Sequence, residues 1–144
     1  TGEKLTLSHY FYIEAPIVFA YNHPGNRLAT IMGFNKKDVP NIDVVGKEIC
    51  MQIAAMNPIA IDKDDVATEI IEKEIEIGKE QARLEGKPEE LLEKIALGKL
   101  NKFYKEFTLL NQEFVRDPKK DIRQYLAEAD KDLKIVAFKR LMLE

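Results

Sequence analysis

Few side chains in this chain of 144 residues could carry out catalysis. The histidines are His9 and His23, and the only cysteine is Cys50. A cysteine or serine nucleophile needs a general base within hydrogen-bonding reach. His9 falls in the apolar phase of a predicted strand, and Cys50 lies among the apolar positions of a predicted helix, which favours a packed histidine and a buried thiol. We therefore expect a protein that binds a partner and is not an enzyme.

The residues that could bind a metal ion or a phosphate are also poorly placed for either task. Asp62, Asp64 and Asp65 form a small acidic cluster, but calcium loops need more oxygen ligands and a bidentate glutamate at a set distance. The cluster is more typical of a helix N-terminus, where negative charge complements the backbone dipole. The glycines are dispersed and form no phosphate-binding loop. The sequence predicts neither a metal site nor a cofactor.

The overall charge bears on the class of partner. The chain has 22 basic and 25 acidic residues and a net charge of −3, which disfavours a nucleic-acid phosphate backbone as ligand. No apolar run approaches the roughly 20 residues that a membrane helix needs, so we expect no membrane. A lone cysteine is ordinary in the reducing cytosol, and a cytoplasmic protein is expected.

The N-terminal third has the alternation of β-strands. Residues 5–13 show an apolar period of two, and residues 17–21 form a short β-branched and aromatic run. Residues 22–26 are rich in Asn, Pro and Gly, and residues 27–34 return as a strand. Two such runs joined by a short turn predict an antiparallel hairpin.

Helical spacing begins near Ile42. Its apolar positions are Val45, Ile49, Ile53 and Met56, and Asn57-Pro58 ends the helix. Asp64 or Asp65 is expected to cap a second helix over residues 66–85, and a third follows the stop and restart at residues 86–88. So short a connection requires the second and third helices to run antiparallel, which predicts a projecting helical arm over about residues 64–107. Its inward-facing residues should be Ile70, Ile77, Leu84, Leu92 and Phe103.

A short helix is predicted from Lys119 or Lys120 to Ala129, and a last strand over residues 133–142. The fold class is therefore α+β: a small antiparallel sheet with helices packed on one side and a projecting antiparallel helical hairpin.

Two features could bind a partner. The turn brings together Tyr21, His23, Gly25 and Arg27 around a Pro-Gly bend, a composition suited to a protein interface and equally to an ordinary hairpin turn. The helical arm offers a long, stiff surface, or serves only as a structural bracket.

Several segments, taken in order, resemble bacterial elongation factor Ts. Residues 51–58 (MQIAAMNP) are similar to the family's M-H-I-A-A-x-x-P, and residues 21–28 (YNHPGNRL) to its Y-x-H-x-G-x-R hairpin. Residues 85–88 (EGKP), 98–103 (GKLNKF) and 109–118 (LLNQEFVRDP) continue the pattern, which runs through essentially the whole chain. The resemblance implies that residues 1–144 form a C-terminal, dimerisation-type domain of that family.

The departures from the family pattern limit what the resemblance implies. Gln52 stands where the family usually has histidine, and Glu113 replaces the proline of a Q-P-F-V motif. The T-D-F-V segment, which in the family inserts into the nucleotide domain of elongation factor Tu, does not occur in the chain. We therefore expect a fragment that docks on elongation factor Tu and supports GDP/GTP exchange only in part. The other interpretation is a self-associating module that forms a homodimer.

Overall fold

The computed structural model describes residues 13–22 and 28–142. The chain divides into two compact units, one formed by Thr1–Asn57 with Glu113–Glu144 and the other by Pro58–Gln112. Sheet and helices are both present among the described residues, so the predicted α+β class is confirmed.

The first unit is built on a three-stranded antiparallel sheet of order β1-β2-β5, formed by β1 (Ile17–Asn22), β2 (Leu28–Phe34) and β5 (Ile135–Met142). The predicted hairpin and the predicted last strand are confirmed, although the last strand begins at Ile135. The strand predicted over residues 5–13 lies outside the described residues except for Ile13, which is buried outside any strand.

Helix α1 (Ile42–Met56) packs on one face of this sheet. Alternate β2 residues Thr30, Met32 and Phe34 are fully buried, and the Thr30 hydroxyl donates to the carbonyl of Cys50, 3.1 Å away. A Cβ at Gly46 would lie 2.3 Å from the Phe19 ring, so glycine is required for this close approach. The predicted helix is confirmed, as are its buried Val45, Ile49 and Ile53, but Met56, the last residue of the helix, is exposed.

The region after Gln112 differs from the prediction. A small hairpin forms from β3 (Glu113–Phe114) and β4 (Asp117–Asp121), and helix α4 (Ile122–Ala129) follows it. The predicted helix start at Lys119 or Lys120 is wrong because both residues lie in β4. The Asp121 side chain accepts a hydrogen bond from the Gln124 amide at 2.8 Å, and this cap fixes the helix start.

The second unit contains the antiparallel pair of helices α2 (Thr68–Leu84) and α3 (Glu89–Phe107). The helical pair predicted within residues 64–107 is thus confirmed, while its projection from the sheet stays a prediction. The predicted capping of α2 by Asp64 or Asp65 is wrong, because both belong to a separate 3₁₀ turn, Lys63–Asp65, which is capped by Asp62. Between the helices Gly86 adopts a φ of 80°, in the left-handed region that glycine tolerates.

The seam between α2 and α3 differs from the predicted one. Ile70 and Ile77 are each 38% exposed and Leu84 is 79% exposed, so the prediction that they face inward is wrong. The fully buried α2 positions are Gly78 and Ala82, and a Cβ at Gly78 would lie 3.1 Å from the Ala96 Cα. The close approach of the two backbones explains why small residues form the seam. On α3, Leu92 is buried as predicted, and Phe103 is half-buried against Phe107.

Candidate partner-binding surfaces

Of the predicted binding residues, Tyr21 lies in β1, and the other three follow it in the sequence between β1 and β2. Tyr21 is half-buried and pairs with Thr30, whose side chain points to α1, so the Tyr21 phenol lies on the helix-covered side of the sheet. His23, Gly25 and Arg27 lie outside the described residues, so their part in binding stays a prediction. The structure therefore places one of the four predicted residues, and that residue has only part of its surface available to a partner.

The sheet end beside the connection between β1 and β2 is partly apolar. Leu28 pairs with Met142 across β2 and β5, and Met142 is 63% exposed. On the sheet face opposite α1, Ile31 is half-buried, and Val18 is exposed at the end of β1 away from the turn. The exposed Met142 beside a predicted turn of Tyr, His and Arg gives this end of the sheet the mixed composition of protein interfaces.

The environment of Cys50 excludes a reactive thiol. Its side chain is fully buried, and Sγ lies 3.7 Å from the Phe19 carbonyl. Burial raises the pKa of the Cys50 thiol to about 11, against a weaker lowering by its hydrogen bond with Thr30. A thiolate is therefore disfavoured at neutral pH, and the predicted burial of the thiol is confirmed.

Gln52 joins α1 to the β3–β4 hairpin. Its Nε2 donates to the Glu113 carbonyl at 3.0 Å, and its Oε1 accepts from the Val115 amide at 2.9 Å. Phe114 stacks on Tyr125 of α4 with ring centroids 4.2 Å apart. These contacts position the exposed turn at residues 115–116. In the sequence, the signal for this buried amide is that Gln52 is a polar residue next to Ile53, on the apolar side of a predicted helix.

Helix α2 carries an apolar stripe on its exposed side. We call Ile70, Ile77 and Leu84 the heptad stripe, since each follows the last by seven residues and none of them is buried. Leu91 of α3 is also exposed. Apolar side chains repeated at this interval are suited to packing against another helix.

Helix α3 has an open depression of about 410 Å³ on its surface. We call it the Gly98 notch; its lining residues are Ile95, Gly98, Lys99, Asn101, Lys102 and Lys105. A Cβ at Gly98 would have no atom within 4 Å, so packing inside the chain does not require glycine there. Glycine within a helix costs about 0.5–1 kcal/mol relative to alanine. The sequence does not predict this position, because it does not show whether neighbouring atoms pack against a glycine.

Residues 13–22 and 28–142 hold no group of three or more His, Cys, Asp or Glu side chains that could bind a metal ion. None of the helices in these residues is both long and apolar enough to cross a membrane.

Comparison with known proteins adds evidence on ancestry. The family model "Elongation factor TS" matches residues 1–144. Elongation factor Ts of Azobacteroides pseudotrichonymphae is 49% identical over 143 residues, which is 99% of this chain and 52% of that protein. Elongation factor Ts of Cytophaga hutchinsonii is 50% identical over 142 residues, or 99% of this chain and 51% of that protein.

The chain belongs to the elongation factor Ts family, a family of translation elongation factors. The resemblance seen in the sequence motifs is thus confirmed. The chain spans about half the length of these relatives, 52% of one and 51% of the other.

Proposed function

We propose that this chain docks on elongation factor Tu and thereby supports GDP/GTP exchange in the cytoplasm during protein synthesis, with no bond chemistry of its own. Membership of the elongation factor Ts family supports the partner. The observation that supports the docking surface is the β1–β2 hairpin, in which Leu28, the first residue of β2, pairs with the exposed Met142. The contacts would be made by Tyr21, His23, Gly25 and Arg27.

Docking and exchange are separable in energetic terms. A protein releases a nucleotide from its partner only by binding the nucleotide-free state more tightly than the bound state. A surface that binds both states equally adds affinity and shifts no equilibrium. The hairpin is proposed to supply affinity of this second kind.

One substitution tests the docking surface. We expect His23→Ala to weaken binding to elongation factor Tu by about 2 kcal/mol, or roughly thirtyfold, as for a residue central to an interface. The melting temperature should hardly change, because surface turn residues usually alter stability by less than about 0.5 kcal/mol. Isothermal titration calorimetry and thermal melting measure the two effects.

The matched control is Lys131→Ala, an exposed residue that precedes β5 at the opposite end of the sheet. This variant should bind as the parent chain does. Unaltered binding in His23→Ala, or a large fall in its melting temperature, would show that His23 is only a structural turn residue.

A second candidate function is self-association into a homodimer, and the heptad stripe favours it. In an antiparallel arrangement centred on Ile77, Ile70 of one copy would meet Leu84 of the other, so the stripe can complement itself. Sedimentation equilibrium without elongation factor Tu should then show a dimer that Ile77→Glu dissociates. A monomer at all concentrations would exclude this candidate and leave the docking proposal intact.

A further inference from the structure

Gly98 differs from Gly78, the other glycine within helices α2 and α3, in how closely its neighbours pack around it. Gly78 is explained within the chain, because a Cβ there would meet the backbone of Ala96 at 3.1 Å. Gly98 has only open space around it and lies in the middle of an α-helix, where glycine is unfavourable. Packing within the described chain therefore does not explain glycine at position 98, and the backbone there is open to close approach by another molecule.

The arrangement of residues around the notch is complementary to the side chains of a second helix packed against it. Residues 98, 101, 102 and 105 lie at i, i+3, i+4 and i+7 and surround one hole on the helix face. Residues 95, 98, 99 and 102 surround a second hole with the same spacing. Holes of four residues receive single side chains of a neighbouring helix, and glycine at the corner shared by both holes permits a short interaxial distance.

The charge of the notch indicates the chemistry of the occupant. Its rim carries Lys99, Lys102 and Lys105, and no acidic residue lines it. Lys99 also donates to Gln81 at 3.0 Å, whereas the exposed Lys102 and Lys105 stand further along the face. Ile95 supplies an apolar wall. A ligand with apolar side chains between flanking carboxylates would complement all of these groups.

We propose that the Gly98 notch is a docking site for an acidic amphipathic α-helix of a partner protein. A protein helix fits better than nucleic acid because the depression is shaped for single apolar side chains. This surface lies in the second unit, and it does not depend on the docking surface proposed for the sheet.

The probe is a synthetic peptide of about 20 residues, long enough to be helical, with leucines at heptad spacing and glutamates beside them. Titrated into the ¹⁵N-labelled 144-residue chain, it should shift the amide signals of Gly98, Asn101 and Lys102 most. A peptide in which lysine replaces every glutamate should bind about tenfold more weakly, because the rim is basic.

Substitutions separate docking from stability. Gly98→Leu should weaken peptide binding by about tenfold while raising the melting temperature, since leucine fills the holes and is a better helix former than glycine. Lys102→Glu should weaken peptide binding to a similar degree. The charge-matched control is Lys73→Glu, an exposed position on α2 outside the notch, which should bind as the parent does.

Several results would overturn the proposal. One is an absence of shifts around Gly98, and another is equal binding of the basic peptide. A short RNA that shifts the same signals at comparable concentration would make the notch a nucleic-acid surface. A second copy of the chain that broadens these signals without the peptide would make it a dimer contact. None of these results bears on His23→Ala, so failure here leaves the sheet docking surface standing.

Discussion

Gln52 shows how a single buried amide can organise a surface that it does not itself reach. Both ends of its side chain are bonded to the β3–β4 hairpin, with the donor on the Glu113 carbonyl and the acceptor on the Val115 amide. The side chain is only 1% exposed, so water cannot replace either bond. The family pattern usually has histidine here, but an amide offers both a donor and an acceptor with no change of tautomer or charge.

Removing this amide should have a cost well above that of an ordinary hydrogen bond. We expect Gln52→Ala to reduce the free energy of unfolding by about 2–3 kcal/mol, because it leaves a cavity and two backbone groups without their partner. Urea denaturation measures the change. Gln124→Ala, at an exposed position of α4, is the matched control and should cost less than about 0.5 kcal/mol. Equal losses in the two variants would contradict the bridging role.

At the scale of elements, the helical pair shows which part of a fold a sequence pattern can predict. The two helices, their antiparallel arrangement and the stop at Gly86 follow from apolar spacing and turn chemistry. The seam does not, because apolar spacing alone assigns the largest apolar residues of α2 to the contact between the helices. The structure places Gly78 and Ala82 there, since small residues allow the backbones to approach, and leaves the heptad stripe outside.

The position of the seam predicts that two leucine-to-alanine substitutions will differ greatly in their effect on the free energy of unfolding. Leu92→Ala should reduce the free energy of unfolding by about 2–4 kcal/mol, because Leu92 is 3% exposed and its removal leaves a cavity. Leu84→Ala should change it by less than about 0.5 kcal/mol, because Leu84 is 79% exposed. Chemical denaturation of the two variants side by side checks this, and a larger loss for Leu84→Ala would restore the seam predicted from the sequence.

The small hairpin before α4 was missed for local reasons. Strand β3 has two residues, and β4 reads Asp-Pro-Lys-Lys-Asp, which lacks the β-branched and aromatic side chains typical of strands. Contacts distant in sequence, from Gln52 and Tyr125, stabilise it instead. The Gly98 notch could not be predicted either, because only the contacts made in the folded protein distinguish an exposed helical glycine from a closely packed one. The predicted binding residues rest on the composition of the turn and on its resemblance to the family's hairpin, and of these only Tyr21 lies among the described residues.

At the scale of the whole chain, the 144 residues span about half the length of the relatives, which bears on exchange activity. The 144 residues contain no Thr-Asp-Phe-Val segment, the part of the family pattern expected to act on the nucleotide domain of elongation factor Tu. Docking through the sheet surface would then contribute equally to binding of the nucleotide-bound and nucleotide-free states.

We therefore expect the chain, at saturating concentration, to leave the rate of GDP release from elongation factor Tu nearly unchanged. Stopped-flow fluorescence with a labelled GDP measures the rate, and calorimetry under the same conditions establishes that the chain is bound. Chelation of Mg²⁺ serves as the positive control for fast release. Acceleration approaching that of a full-length relative would show that these 144 residues perturb the nucleotide site themselves.

The pairing of Leu28 with Met142 has a consequence for how the protein is made. Strand β2 leaves the ribosome more than a hundred residues before β5, its neighbour in the sheet, and loop closure over such a distance is slow. Helices α2 and α3 pair across a tight connection and need no residue that is made later. The helical pair can therefore fold during synthesis. The edge of β2 that pairs with β5 has no strand to hydrogen-bond with until β5 has been synthesised.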